Sequence, residues 1–405
     1  MKKIYEITIL SILIFTIGFG YSSVYAEELS VNANASLIVE VNSGKVIYEN
    51  NSEEQNYPAS VTKILTAILT IENCKLDDLA IVTNTAVSNI PDGYVVAPLM
   101  VGEEIRVEDL LYALMLKSAN DAAYVLAEHV GGSVGGFSDM MNKKAEEIGC
   151  KNSHFVNPNG IHNENHYTTA YDMFLISNYA MKNETFRKIV STYEYTLPAT
   201  NKYKNSDRVM QNTNSFVNPN SVYYRDYVNG IKTGTTNQAG NCLITESAKD
   251  GLEFITVVLG AKTSDSKFSE TKKMIDYSFD NYELSKINDK DDVILSIEVE
   301  KATKETKDLE VVISDEITVM KNKAITPDQI VPIIELNDDI VAPINKGQEI
   351  GTIKYNVDGL EYSAKLLAAN DVEKKTYYVE IGIASGISFT IIICFYIIVK
   401  IRRKK

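Results

Sequence analysis

The chain has 405 residues, a formal net charge of −14 at pH 7 and 45% hydrophobic residues. This length predicts more than one folding unit, and the apolar content is that of a globular protein with a sizeable core. The net negative charge argues against nucleic-acid binding as a main role.

The first 26 residues have the pattern of a secretory signal peptide. A basic start, Met1–Lys3, precedes the largely apolar run Ile7–Phe19, and Ala26 is a small residue before two glutamates. We therefore predict a signal peptide over residues 1–26. An uncleaved N-terminal anchor is the alternative, because Tyr25 and the Thr and Gly residues in the apolar run fit a signal peptide less well.

Residues 27–284 carry the pattern of one α+β domain. Strands are predicted at Ser36–Val41, Lys45–Tyr48, Cys242–Thr245 and Phe254–Leu259, and helices after Pro58, near 107–115, after Ser118 to Gly131, at Phe137–Ile148 and at Met173–Ala180. The helices show apolar spacing of three and four residues. Strands at both ends of the unit predict a sheet that joins both chain ends, with the helices packed on it.

A change of pattern follows the polar stretch 288–292. Short runs of β-type residues at 293–299, 309–313, 317–320, 349–355 and 362–367 alternate with turn residues. This pattern predicts a small all-β domain over residues 290–372.

The chain ends in an uncharged apolar run, residues 381–399, and a basic cluster, residues 400–405. Nineteen apolar residues suffice for a transmembrane helix. The basic cluster predicts a cytoplasmic tail, so the two preceding domains are expected outside the cell membrane, in contact with its lipid only through this helix.

Cysteine and histidine residues show no ligand spacing that indicates a metal site. Cys74, Cys150 and Cys242 have no regular spacing from which a disulfide pairing can be read, and Cys394 lies in the apolar run. The histidines match no common zinc pattern and are interpreted as structural or surface residues. We expect no metal and no cofactor.

The first motif with chemical content is the tetrad Ser60–Lys63, of the form S-x-x-K. At positions i and i+3 of a helix the two side chains share a face. A serine hydroxyl becomes a good nucleophile only when a base removes its proton. A buried lysine beside other cations can lose enough basicity to serve. Taken alone, the tetrad is more often a capping serine with a solvated lysine.

Two further triplets follow. Ser118-Ala119-Asn120 lies between predicted helices, where a hydroxyl could relay a proton and an amide could orient a substrate. Lys232-Thr233-Gly234 begins a predicted strand, where a cation and a hydroxyl suit a carboxylate and a glycine admits close approach. The N–H groups of Ser60 and Thr235 could form an oxyanion hole. Each triplet alone is uninformative.

Together, the three motifs match the order and form known for penicillin-reactive serine enzymes. Their first residues are separated by 58 and 114 positions, and each lies in the predicted helix, loop or strand that the chemistry requires. The combination predicts a serine acyl-transfer site.

The chain resembles the serine-type D-alanyl-D-alanine carboxypeptidases of peptidase family S11, the low-molecular-mass penicillin-binding proteins. The similarity extends through Phe155–Gly160, Tyr167–Ala170 and Asn229–Gly234, and Lys346–Gly351 is similar to the family's C-terminal β domain. The resemblance covers about residues 30–370. It implies a β-lactamase/transpeptidase-like fold for the catalytic domain.

The same resemblance implies the role of each motif residue. Ser60 would attack the penultimate D-alanine carbonyl of a peptidoglycan stem pentapeptide and would also be acylated by β-lactams. The other roles would be Lys63 as base, Ser118 as proton carrier to the departing D-alanine, Asn120 as orienting amide, and Lys232 with Thr233 as carboxylate ligands beside Gly234.

Two positions depart from the family pattern, and three other functions stay open. Ala119 stands where many relatives have glycine, and Thr235 where several have a bulkier side chain. A D,D-endopeptidase would need only a different leaving group. A β-lactamase of class A would need an E-x-x-L-N string between Asn120 and Lys232, which the sequence lacks. A non-enzymatic, anchored cell-wall scaffold would leave Ser60 unreactive.

Overall fold

The computed structural model describes residues 29–205 and 207–375. The strands are β1 (Ala35–Glu40), β2 (Val46–Asn50), β3 (Leu79–Ile81), β4 (Glu104–Arg106), β5 (Glu194–Leu197), β6 (Arg208–Gln211), β7 (Lys232–Thr236), β8 (Gly240–Lys249), β9 (Leu252–Ala261), β10 (Tyr282–Asn288), β11 (Val293–Glu298), β12 (Asp308–Ile313), β13 (Ile317–Asn322), β14 (Pro332–Leu336), β15 (Glu349–Val357) and β16 (Leu360–Ala368).

The helices are α1 (Lys63–Asn73), α2 (Asn84–Ser88), α3 (Val107–Tyr112), α4 (Asn120–Gly131), α5 (Val134–Ile148), α6 (Ala170–Met181), α7 (Glu184–Ser191) and α8 (Ser264–Asn281). A 3₁₀ turn, Ala59–Thr62, leads directly into α1, and a π-helical turn, Ala113–Lys117, follows α3.

A five-stranded sheet has the strand order β2-β1-β9-β8-β7. It joins the first strands of the chain to those of residues 232–261, as the sequence predicted. Strands β8 and β9 are connected by Asp250 and Gly251, both with positive φ, which is the backbone of a two-residue hairpin turn. The sequence predicted a longer loop here, because it placed the strand ends several residues too far apart.

Helix α1 is buried along nearly its whole length. Its first eight residues, 63–70, are all buried, including Ile64, Leu65 and Ile68 at 1% exposure or less. A helix that is buried around its circumference belongs to the interior of a domain. The residues at its beginning are therefore fixed by packing on all sides.

The contacts divide the described residues into two compact units. The first contains residues up to Ile38, Tyr48–Thr245 and Thr256–Tyr277, and the second contains Val39–Ile47, Glu246–Ile255 and residues from Ser278 onward. The second unit has a five-stranded sheet of order β11-β12-β16-β15-β14 and a separate pair, β10 with β13. Its core includes Leu309, Val311, Ile353 and Leu366, each fully buried. The predicted β-rich C-terminal domain is thus confirmed.

Nine of the described elements were not predicted: helices α2, α7 and α8 and strands β3, β4, β5, β6, β10 and β14. Strand β10 occupies residues to Asn288, where a linker was expected to begin. Polar residues dominate α8, so its apolar spacing is weak.

Two predicted segments, the signal peptide over 1–26 and the transmembrane helix over 381–399, lie outside the described residues. Within 29–205 and 207–375, no helix is long and apolar enough to span a bilayer.

Candidate active site

The 3₁₀ turn and α1 place Ser60 and Lys63 beside each other. The Lys63 Nζ lies 2.9 Å from the Ser60 Oγ. It also donates to the Asn120 Oδ1 at 3.0 Å and to the backbone carbonyl of Asn159 at 2.7 Å. One amine is therefore held by three oxygen atoms that come from three different parts of the chain.

Lys63 has no exposed surface. Burial is the largest cause that holds the pKa of its amine well below the ordinary value, and the positive charge of Lys232 acts in the same direction, while Asp121 opposes them. Removal of an ammonium from water favours its neutral form. A neutral amine in contact with a serine hydroxyl can accept the hydroxyl proton.

The second motif lies at the junction of the π-helical turn and α4. Ser118 has a left-handed backbone, with φ 64° and ψ 32°, and ends the turn. Asn120 begins α4, and its Nδ2 donates to the carbonyl of Val95 at 2.9 Å while its Oδ1 accepts from Lys63. The amide thus connects the lysine to the loop that carries Tyr94 and Val95.

Asp121, next to this motif, fixes the same loop. Its carboxylate accepts the backbone N–H groups of Ala97, at 2.9 and 3.0 Å, and of Leu99, at 3.1 Å. The side chain is 2% exposed. Burial raises the pKa of this carboxyl, and these N–H groups act in the opposite direction. Sequence reasoning did not single out Asp121, because one acid at a helix start normally needs no further explanation.

The third motif forms most of β7, which lies directly against the 3₁₀ turn. A Cβ atom at Gly234 would stand 3.0 Å from the Ser60 backbone nitrogen and 3.1 Å from the Pro58 carbonyl. A side chain here would therefore be in tight contact with the backbone around the 3₁₀ turn, which would have to shift by a few tenths of an ångström. The Thr233 Oγ1 shares a 2.6 Å hydrogen bond with the Thr213 Oγ1.

Lys232 is 1% exposed, and its Nζ donates to the Thr233 carbonyl at 3.1 Å. Burial, with a contribution from the charge of Lys267, lowers the pKa of Lys232 to about 7. Lys63 and Lys232 are both buried beneath the residues that line the cleft, and neither is itself a lining residue.

The cleft has a volume of about 710 Å³. Its lining contains the motif residues Ser60, Ser118, Asn120, Thr233, Gly234 and Thr235, together with Asp92–Val95, Lys117, Asn159–Ile161, Thr213, Thr236–Gln238, Ser264, Lys267 and Phe268. The structure therefore brings all three motifs to one cavity. Lys267 and Phe268 were missed because α8, which carries them, was not predicted.

Lys267 supplies a positive charge in the cleft lining itself. The side chain is largely buried, with 6% exposure of the residue, and burial lowers the pKa of its amine. Its Nζ lies 5.2 Å from the centre of the Phe268 ring. The cavity thus has a hydroxyl, Thr233, and a cation from a separate element available to a ligand carboxylate.

The loop 157–168 packs against the 3₁₀ turn Ala59–Thr62 that carries Ser60, called here the nucleophile turn. Gly160 has φ +81°, and a Cβ atom there would stand 1.8 Å from the Ala59 carbonyl oxygen. His166 bonds to the Thr62 Oγ1 at 2.9 Å through Nε2, and its Nδ1 accepts from the Val156 N–H at 3.2 Å. Burial lowers the pKa of His166 to about 3, so the ring is neutral and acts as a structural link.

None of the three cysteines in the described residues lines this cleft. Cys74, Cys150 and Cys242 are free thiols. Among the described residues, the group Cys74, Asp78 and His129 has ligand atoms within 4.8 Å of one another and could hold a metal ion, although its sequence spacing gave no such indication. None of the three lines the cleft.

Comparisons with known proteins agree with this architecture. Residues 22–263 match the family model for D-alanyl-D-alanine carboxypeptidase, and residues 282–374 match that for the C-terminal domain of penicillin-binding protein 5. The D-alanyl-D-alanine carboxypeptidase DacF of Bacillus subtilis is 32% identical, over 94% of this chain and 96% of its own. DacA of Haemophilus influenzae is 30% identical, over 92% and 94%.

Solved structures show the same relationship. Penicillin-binding protein 5 of Haemophilus influenzae has a TM-score of 0.63 and 28% identity, covering 85% of this chain and 98% of its own. A mutant of the Streptomyces K15 DD-transpeptidase has a TM-score of 0.58 and 30% identity, covering 62% of this chain and 99% of its own.

The substitution Gly160→Ala tests the support beneath the nucleophile. The methyl group would collide with the Ala59 carbonyl, displace the Ser60 turn and slow acylation by fluorescent penicillin. Gly149→Ala is the matched control, because Gly149 also has positive φ but open space around it. The control should lose about 1–2 kcal/mol of stability from backbone strain. Gly160→Ala should lose about 1–3 kcal/mol more from overpacking. Equal thermal unfolding and equal acylation in the two variants would contradict this account.

The substitution Lys232→Gln tests the electrostatic coupling to Lys63. The charge of Lys232 lowers the pKa of Lys63, so its removal should raise that pKa. A base must be deprotonated to act, and the acidic limb of the rate profile for acylation should therefore move to higher pH. Stopped-flow acylation by a chromogenic β-lactam measures the profile. Lys117→Gln is the control, because Lys117 lines the cleft but is not among the causes that lower the Lys63 pKa, and it should leave the acidic limb of the rate profile unchanged. A shift of that limb to lower pH in Lys232→Gln would contradict the role assigned to the Lys232 charge.

Proposed function

The chain belongs to the peptidase S11 family of D-alanyl-D-alanine carboxypeptidases, and from this membership we propose that it removes the terminal D-alanine of peptidoglycan stem pentapeptides through an acyl-enzyme on Ser60. The observation that carries the proposal is the 2.9 Å contact between the buried Lys63 amine and the Ser60 hydroxyl in a cleft that all three motifs share.

Acylation begins with proton transfer from Ser60 to the neutral amine of Lys63. The Ser60 Oγ forms a bond with the carbonyl carbon of the penultimate D-alanine, and the carbonyl oxygen becomes an oxyanion. The N–H groups of Ser60 and Thr235 receive that oxyanion, an arrangement that is worth about 3–4 kcal/mol in other enzymes. The close packing of Gly234 on the turn keeps these two N–H groups near each other.

Collapse of this intermediate breaks the peptide bond to the terminal D-alanine. The departing nitrogen needs a proton, which Ser118 supplies from its place in the cleft lining and recovers from the protonated Lys63. Asn120 holds the Lys63 amine and the loop of Val95 in place, because its amide accepts from Lys63 and donates to the Val95 carbonyl. Water then hydrolyses the ester and regenerates Ser60.

The terminal carboxylate of the substrate is held at the Thr233 end of the cleft. Thr233 and Lys267 reach it directly, since both line the cavity. The sequence predicted that Lys232 binds this carboxylate directly; we propose instead that it acts through its charge from outside the cleft lining, which its 1% exposure and its hydrogen bond to the Thr233 carbonyl support. β-Lactams carry a carboxylate and a reactive carbonyl in a similar arrangement, so they acylate Ser60 as well.

For the location, we propose export by the segment 1–26 and anchoring by the segment 381–399, with the catalytic unit on the outer side of the cell membrane. The support is the sequence pattern of these two segments. The substrate class agrees with this location, because peptidoglycan lies outside the membrane.

Mass spectrometry of products from a pentapeptide-containing muropeptide tests this function. The full-length chain should release one alanine per stem, Ser60→Ala should release none, and Ser118→Ala should be slower by about 10²–10⁴-fold because the leaving group lacks its proton donor. Ser133→Ala, which removes a hydroxyl that caps α5, is the matched control and should keep full activity. Release of D-alanine by Ser60→Ala would refute the nucleophile. With a cross-linked muropeptide dimer as a second substrate, cleavage of the dimer without release of D-alanine from the pentapeptide would indicate an endopeptidase.

A further inference from the structure

A second, smaller cavity adjoins the catalytic cleft in the first unit. It has a volume of about 310 Å³ and is lined by four side-chain amides, two tyrosines, one alanine and one carboxylate. Gln238 lines both cavities, so the two are neighbours that share this residue in their walls. None of the motif residues lines the smaller cavity, and the mechanism above makes no use of it.

The direction of the substrate along β7 points to this cavity. In the proposed function the terminal carboxylate binds at Thr233, and the Ser60 turn packs on Gly234, so the leaving D-alanine would occupy the Lys232 side. The rest of the stem peptide must then extend toward Thr235 and Gln238. An extended peptide advances about 3.3 Å per residue. The residue before D-alanyl-D-alanine would then lie near Thr236, at the end of β7, and its side chain would extend toward Gln238.

The cavity has a single charged group among its lining residues, the exposed carboxylate of Glu164. Tyr57 and Tyr167 contribute ring surface beside it. Such a set suits a side chain with an aliphatic stem and a terminal ammonium group. Peptidoglycan stem peptides carry a diamino acid at the position directly before D-alanyl-D-alanine, and the side-chain amine of that residue is a ligand of this kind.

The two walls of the cavity are joined to each other before any ligand binds. The Asn56 N–H donates to the Thr168 carbonyl at 2.7 Å, and the Thr168 N–H donates back to the Asn56 carbonyl at 2.9 Å. Tyr57 contacts the ring of His162 edge to face, with 4.6 Å between the ring centres. A preformed site loses little entropy when it binds.

We propose that this cavity is the subsite for the diamino acid of the stem peptide, with Glu164 as the partner of its side-chain amine. The inference rests on the proposed function, since the substrate direction follows from it. Glu164 determines specificity and takes no part in the chemical steps at Ser60.

Two peptides that differ only at the amine test this subsite. Both are Nα-acetyl-L-lysyl-D-alanyl-D-alanine, one with a free side-chain amine and one with that amine acetylated. The full-length wild-type chain should have a kcat/KM about two- to fivefold higher for the free amine, the range for an exposed ion pair, and the preference should weaken at high salt. Glu164→Gln should lose the preference and keep the rate for the acetylated peptide.

Glu53→Gln is the matched control, because Glu53 is an exposed glutamate that does not line the cavity. It should retain the preference. A wild-type chain without preference, or an unchanged preference in Glu164→Gln, would overturn the subsite. If neither peptide releases D-alanine, the proposed function fails. Calorimetric binding of the two peptides to the Ser60→Ala variant then tests the subsite alone. Tighter binding of the peptide with the free amine, lost when Glu164→Gln is added, supports the subsite, and equal binding of the two peptides overturns it.

Discussion

The site depends on one buried amine that has oxygen partners but no carboxylate among them. The Lys63 Nζ contacts Ser60, Asn120 and the carbonyl of Asn159, and its nearest charges include the cation Lys232. Burial of an unpaired ammonium is costly, and the group relieves this cost by giving up its proton. The same burial that would destabilise an ordinary lysine therefore creates a base beside a hydroxyl that needs one.

The fold supplies this environment by two close backbone approaches. Gly234 lets β7 lie against the turn of Ser60, and Gly160 lets the loop beneath come within contact of Ala59. A Cβ atom would collide with the backbone at Gly160 and would be in tight contact with it at Gly234, so backbone packs closely on two sides of the nucleophile turn. Asp121 fixes the surroundings of the second motif, because it ties the loop of Ala97 and Leu99 to the start of α4. Reactivity at Ser60 is in this sense a property of tertiary packing.

The sequence predicted the elements that carry motifs better than those that complete the cleft. Ser60, Ser118 and Thr233 were assigned to one site because their spacing and local patterns agree, and the structure brings them to one cavity. Lys267 was missed because α8 has weak apolar periodicity. Whether Lys232 lines the cleft or stands behind it could not be predicted, since that depends on the direction of one side chain in a strand.

The protonation state of Lys63 is the most direct test of this account. Nuclear magnetic resonance of the Lys63 ε-carbon, with selectively labelled lysine and Lys63→Arg for assignment, gives its pKa in the free enzyme. The account predicts a value well below the ordinary 10.5 of lysine, so that the amine titrates at lower pH than the surface lysines. A Lys63 amine that titrates together with the surface lysines would contradict it.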